Sequence, residues 1–238
     1  MRPKIYLFGD SITEEAFNDG GWGASLASHY SRTADIVLRG YSGYNTRWAV
    51  KMLEKVFGAV DEEAQAPVAV TVFFGANDAC LVDRYAAFQH VPLDEYKQNL
   101  RTIFSFLKKR WETAAIIFIT PPPIDEAVRL LHPYMENPGG LPERTNEAAG
   151  AYAQACVDIA RECGTPVVDI WTKMQEFTDW KKSCLSDGLH LTKGGNRIVF
   201  EKVLEKLKEV GVSLEKLPVD LPLFSEIDSK DPLKAFEK

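Results

Sequence analysis

Short apolar runs alternate along the chain with longer stretches whose apolar residues recur at helical spacing. The runs at 4–8, 35–39, 68–74, 114–120 and 167–170 are rich in Ile, Val and Phe, the composition expected of buried strands. The run 68–74, Val-Ala-Val-Thr-Val-Phe-Phe, has no polar alternation. That predicts a central parallel strand covered on both faces. Between the runs, amphipathic stretches predict helices from 23–30 and over 46–57, 93–110, 143–163 and 193–210. The alternation predicts βαβ units, and so an α/β protein with a central five-stranded parallel sheet.

Three segments break the rhythm. The stretches 76–92 and 121–141 are long loops directly after strands, and such loops are more often functional than idle. The last segment, 211–238, contains Pro218, Pro222 and Pro232 and no long periodic stretch. It is expected to pack as an extension on or beside a domain spanning 1–210, and it leaves open a homodimer.

Composition narrows the function classes. A chain of 238 residues suits one α/β domain. A net charge of −6 argues against a nucleic-acid surface. No apolar run is long enough to predict a membrane span. Cys156 and Cys163 share a predicted helix about 10 Å apart along its axis, beyond the roughly 7 Å that a disulfide tolerates. All four cysteines are therefore read as free thiols in a reducing compartment, with a cytoplasmic localisation.

The candidate chemistry starts at Ser11, in Phe8-Gly9-Asp10-Ser11-Ile12-Thr13 at the end of the first strand. Alone, Ser11 reads equally as a helix cap. As a nucleophile it needs a base, and Asp187-Gly188-Leu189-His190 offers a histidine with an orienting carboxylate on one short loop. Gly43, after the second strand, is either a turn glycine or a backbone N–H brought close to a ligand. Asn77, after the third strand, is either a loop former or an amide donor to a developing oxyanion. His29, His90 and His132 lack comparable context, and no metal-ligand spacing appears, so no metal or cofactor is expected. In an open parallel sheet, sites form outside the carboxyl ends of the strands. All four blocks fall on that edge, which favours the catalytic reading of each.

The four blocks, Gly9-Asp10-Ser11-Ile12-Thr13, Ser42-Gly43-Tyr44-Asn45-Thr46, Gly75-Ala76-Asn77-Asp78 and Asp187-Gly188-Leu189-His190, resemble those of the GDSL or SGNH hydrolases. Ala76 stands where many members carry a second glycine. Gly20-Gly21-Trp22-Gly23 and the 39–47 stretch look most like the isoamyl acetate-hydrolysing esterase group, its plant-type members in particular. The resemblance implies a three-layer α/β/α flavodoxin-like fold and a serine esterase acting on short-chain, acetate-type esters. It also implies Ser11, Asp187 and His190 as the triad and Ser11, Gly43 and Asn77 as the oxyanion hole. Trp22, Ala79, Leu81 and Leu189 are expected as apolar pocket walls. A carbohydrate O-deacetylase and a non-catalytic binding protein on the same scaffold are the rival readings.

Overall fold

A computed structural model of the protein describes residues 2–58 and 66–236. Five parallel strands form one sheet: β1 (Lys4–Gly9), β2 (Asp35–Gly40), β3 (Ala69–Phe73), β4 (Ala115–Ile119) and β5 (Val167–Val168), in the order β2-β1-β3-β4-β5. This is the flavodoxin-like arrangement, whose strand order reverses between β1 and β3. Register is continuous across that reversal: Leu7 lies beside Leu38 of β2 on one side and Thr71 of β3 on the other.

Helices cover both faces. The side chains of β1 alternate between two cores, Ile5 and Leu7 entering one, Tyr6 and Phe8 the other. The first core is closed by α2 (Trp22–His29) and α9 (Lys193–Glu209), through Leu26, Val199, Val203 and Leu207. The second is closed by α3 (Thr46–Leu53), α4 (Leu93–Arg110) and α6 (Asn146–Glu162), through Leu53, Leu100, Ile103, Leu107 and Ile159. Two-sided burial is why the strands read as unbroken apolar runs.

Several short helices lie where the pattern predicted loop or gave no period: α1 (Ser11–Glu14), α5 (Glu126–Leu131), α7 (Ile170–Gln175) and α8 (Trp180–Ser183). They hold too few turns for periodicity to register. The helix expected over 143–163 starts three residues later, at Asn146. Thr145 caps it, its Oγ1 accepting from the Ala148 N–H at 3.1 Å. The stretch expected as a helix over 46–57 is regular to Leu53 and then widens into a π-helical turn, Glu54–Gly58.

The segment after α9 lies against the domain as far as Pro222. The Tyr30 hydroxyl donates to Val212 O at 2.8 Å, and Arg32 pairs with Asp220 at 3.0 Å. Beyond them Phe224 stands 94 % exposed. No helix among the described residues is long and apolar enough to cross a membrane.

Trp22, expected on a pocket wall, belongs instead to the first core. Its side chain is fully buried, its ring lies 6.3 Å from that of Phe73, and its indole N–H donates to Ile12 O at 3.2 Å. Truncating a fully packed tryptophan removes both its transfer energy and its contacts. Trp22→Ala is therefore expected to cost about 3–5 kcal/mol in urea unfolding. The folded fraction should keep the acyl-chain preference of the parent, and a changed preference would restore Trp22 to the wall.

Candidate active site

The site is assembled from chain segments that leave the carboxyl edge of the sheet. After β1, Asp10 caps α1 by accepting the Ile12 N–H at 3.1 Å, which puts Ser11 in the first turn with its Oγ facing outward from the strand end. After β2, residues 41–45 turn through Gly43, which has φ +77°, before Asn45 caps α3 by accepting the Trp48 N–H at 3.0 Å. After β3, Asn77 follows Gly75 and Ala76 and is 4 % exposed. Its Nδ2 donates to Tyr44 O at 2.8 Å, joining the second and third loops.

The last loop lies between α8 and α9. An antiparallel bridge pairs Leu185 with Leu191 and closes a tight bend. Inside it, Asp187 Oδ1 accepts the Leu189 and His190 backbone N–H groups at 3.0 and 2.8 Å. Asp187 Oδ2 meets His190 Nδ1 at 2.8 Å, and His190 Nε2 lies 2.9 Å from Ser11 Oγ. Gly188 is required by contact as well as by its φ of +85°. A Cβ there would sit 2.5 Å from Asp125 O and 2.6 Å from Arg129 N. The loop thus packs directly on the start of α5.

Ser11, Gly43, Asn77, Leu189 and His190 line one cleft of about 140 Å³, together with Ser42, Gln89, Arg129, Tyr134 and Arg144. Asp187 stands behind His190. Ala79 is buried in the second core, and Leu81, half-buried, donates its backbone N–H to Glu143 O at 2.9 Å. Neither lines the cleft, whose walls are more polar than the sequence suggested. His90, outside the site, is held by Cys80 O at 2.6 Å from its Nδ1. All four cysteines are free.

The charged and amide residues of the wall escaped sequence reasoning. Arg129 sits on α5, a helix of under two turns. Glu143 and Arg144 were absorbed into a predicted helix, where charges ordinarily mark a solvated face. One signal was present: Thr145 is a good cap, and starting the helix after it frees Glu143 and Arg144 to point elsewhere. In the structure the side chains of Arg129, Glu143 and Arg144 are all nearly fully buried. Gln89 is held by several groups at once, donating to Gly43 O at 2.8 Å and accepting from Tyr134 Oη at 3.2 Å.

Electrostatics separates the carboxyls. Burial of Asp187 works against its charge. The His190 hydrogen bond and charge, the His190 N–H and Arg129 outweigh it and hold the carboxyl well below its ordinary 3.8. Burial of His190 disfavours the imidazolium, but the Asp187 hydrogen bond and charge prevail and raise the ring above its ordinary 6.5. Asp10 and Asp78 are fully buried, and burial pushes both up to about 7. The Ile12 N–H only partly offsets this at Asp10, as the Thr46 hydroxyl and N–H do at Asp78. An imidazole paired with an ionised carboxylate and touching a hydroxyl can take that hydroxyl's proton as the oxygen attacks an electrophile.

The fold is that of the GDSL hydrolases. Residues 5–203 match the GDSL-like lipase/acylhydrolase family model, and the chain belongs to that family of carboxylic ester hydrolases. It is similar to a GDSL esterase/lipase of Arabidopsis thaliana, 64 % identical over all of this chain and 99 % of the other. It is also similar to the isoamyl acetate-hydrolyzing esterase 1 homolog of Homo sapiens, 41 % identical over 97 % of this chain and 90 % of that one. Among solved structures, a lipase/acylhydrolase from Enterococcus faecalis superposes with a TM-score of 0.66. It covers 88 % of this chain and 96 % of its own at 24 % identity, and so speaks to the fold.

The raised buried carboxyls have a consequence for stability. A carboxyl that holds its proton more tightly when folded favours the folded state below its ordinary 3.8, and loses that contribution as pH rises through about 7. His190, also raised, acts in the same direction. Unfolding free energy is expected to decline between about pH 5.5 and 8 through these groups. Asp78→Asn should flatten the decline by on the order of 1–2 kcal/mol. Urea midpoints at both pH values measure it, and parallel declines in parent and variant would contradict the assignment.

Proposed function

We propose that this protein hydrolyses short-chain carboxylic esters, acetate-type esters foremost, through an acyl-enzyme on Ser11. The observation that carries the reading is the relay Ser11 Oγ–His190 Nε2–His190 Nδ1–Asp187 Oδ2, with contacts of 2.9 and 2.8 Å, opening on a small cleft. His190 takes the Ser11 proton as Oγ bonds to the ester carbonyl carbon, while Asp187 stabilises the imidazolium. The Ser11 and Gly43 backbone N–H groups and the Asn77 amide receive the oxyanion. One Asn77 amide proton is taken by Tyr44 O, which leaves the other to serve the cleft. Collapse of the tetrahedral adduct breaks the bond to the alcohol oxygen, and His190 supplies the alcohol's proton. Water, losing a proton to His190, then bonds to the acyl carbon and restores Ser11 as the acid departs.

The size of the cleft supports a short acyl group, and the named activity of the human relative supports acetate as that group. The free thiols support a reducing, cytoplasmic setting. One observation favours a second reading, carbohydrate O-deacetylation. Ser42, Gln89, Tyr134 and the two arginines make the cleft more polar than a simple alkyl ester needs.

A p-nitrophenyl ester series from acetate to decanoate, run beside an acetylated sugar, tests both substrates. The short-ester reading expects kcat/KM to peak at acetate to butyrate and to exceed that for the sugar acetate. A higher value on the sugar acetate would transfer the assignment to the second reading. Ser11→Ala is the blank: it is expected to lose about 10⁶ in kcat and all fluorophosphonate labelling. Activity retained in that variant would overturn the nucleophile.

The base must be neutral to act, so kcat/KM is expected to rise with pH through an apparent pKa above 6.5. An initial-rate profile from about pH 5 to 9 on p-nitrophenyl acetate reads it. A midpoint well below 6.5 would show that the Asp187 pairing does not govern the base.

A further inference from the structure

The cleft is floored by charges that the acyl-transfer scheme leaves without a task. Asp187 Oδ2, besides meeting His190, accepts from Arg129 Nη1 at 2.7 Å. Arg129 Nε donates to Glu143 Oε1 at 2.6 Å, and the same oxygen accepts from Arg144 Nη1 at 2.5 Å. Arg144 continues across the site. Its Nε donates to Ala76 O at 2.8 Å, and its Nη2 to Asn77 Oδ1 at 2.9 Å and Gln89 Oε1 at 3.0 Å. We propose that Arg129, Glu143 and Arg144 form a buried positioning network that clamps Asp187 at one end and the Asn77 amide at the other, fixing base and oxyanion donor in one frame. The proposal rests on the triad and oxyanion-hole reading given above.

Three physical arguments support it. First, an unpaired charge is too costly to bury without a partner. Here two cations face two anions, so the ions are tied to one another and to the two groups they hold. Second, a guanidinium is a planar fork with donors in fixed directions, and it orients whatever accepts from it. Arg144 and Gln89 Nε2, which reaches Asn77 Oδ1 at 3.2 Å, both donate to the amide oxygen. That leaves no choice over which end of the Asn77 amide faces the cleft: its NH₂ must. Third, four donors converge on the Asp187 carboxylate: two backbone N–H groups, His190 and Arg129. A carboxylate so filled stays ionised and keeps one orientation.

Arg129 also acts on the base through Asp187. The charges facing His190 are Asp187 on its own loop, Glu15 after α1, Asp10 at the end of β1 and Arg129 on α5. Only Arg129 among them opposes protonation of the ring. Its removal leaves Asp187 Oδ2 to the His190 ring alone and strengthens the imidazolium. The two ends of the network therefore have different kinetic signatures, which a purely structural role does not produce.

The test measures kcat, KM and pH profile on p-nitrophenyl acetate for Arg129→Gln, Arg129→Lys and Arg144→Met. Rates are expressed per active site titrated with a fluorophosphonate, so that misfolded protein is not counted. Arg129→Gln is expected to move the acid limb up by about 0.5–1 pH unit. Its kcat should fall about 10- to 100-fold. Arg129→Lys keeps the charge and loses the fork, so its acid limb should return toward the parent while kcat stays low. This variant retains the buried cation and supplies the test if the glutamine variant does not fold. Arg144→Met should lower kcat about 10- to 100-fold with KM within about twofold and the acid limb unmoved. If the folded variants keep parental kcat and acid limb per titrated site, whatever their thermal stability, the network is only structural and the proposal falls. A parent protein that fails to label at all, or a Ser11→Ala variant that still labels, condemns instead the triad on which the proposal rests.

Discussion

β1 is hydrogen-bonded along its length to β2 on one side and β3 on the other, with side chains buried on both faces. At its carboxyl end the chain can continue only outward, because every lateral position is taken. The connections from β1 and β3 leave toward opposite faces of the sheet at that point, so a crevice opens between them. Ser11, Gly43 and Asn77 all occupy first or second turns after strands that end at this crevice. Their separation in sequence is large, yet their separation in space is governed by strand spacing alone. The precision of the site is thus borrowed from a ladder of backbone hydrogen bonds that takes no part in chemistry.

Against that rigid edge, the half of the site that carries Asp187 and His190 is held differently. The loop bearing Asp187 and His190 comes from no strand. It is anchored by its own short bridge, by the backbone N–H groups that fill Asp187, and by α5 beneath it. Its apolar residues Leu185 and Leu189 are buried in the first core, and Leu191 packs against that core. Charge pairing adds to that packing: Asp187 is tied to Arg129, which is itself nearly fully buried. Two buried carboxyls nearby, Asp10 and Asp78, behave in the opposite way: with no cation touching them, burial raises their affinity for a proton. Carboxyls within one small region are thereby divided into an ionised one beside His190 and protonatable ones in the scaffold.

The parts of this molecule legible in the sequence are those with a period or a motif. The five strands announced themselves because two-sided burial removes polar residues from 68–74 and its neighbours. The long helices did so through their apolar stripes. Ser11, Gly43, Asn77, Asp187 and His190 could be brought to one edge because three strand ends and one loop are countable. What stayed hidden has neither period nor motif. Arg129 lies on a helix too short to show a stripe. Glu143 and Arg144 look like surface charges, and only the cap at Thr145 tells that they precede the helix. Trp22, Ala79 and Leu81 were placed on the wall by proximity to the blocks. An aromatic residue that opens a helix packs inward just as readily, and Trp22, the first residue of α2, does.

Gly188 touches no part of the cleft, yet its missing side chain lets the Asp125 carbonyl and the Arg129 amide approach the loop. The loop bearing Asp187 and His190 and α5 are consequently one moulded piece, and the four residues from Asp187 to His190 are not a portable cassette. Grafting them onto another α/β framework would deliver a histidine beside a carboxylate with neither the supporting surface nor the arginine that completes it. The smallest transplantable unit is the loop with α5 and the Glu143–Arg144 pair, three segments distant in sequence. Recombination that exchanged one of them between divergent relatives would have to carry the other two along.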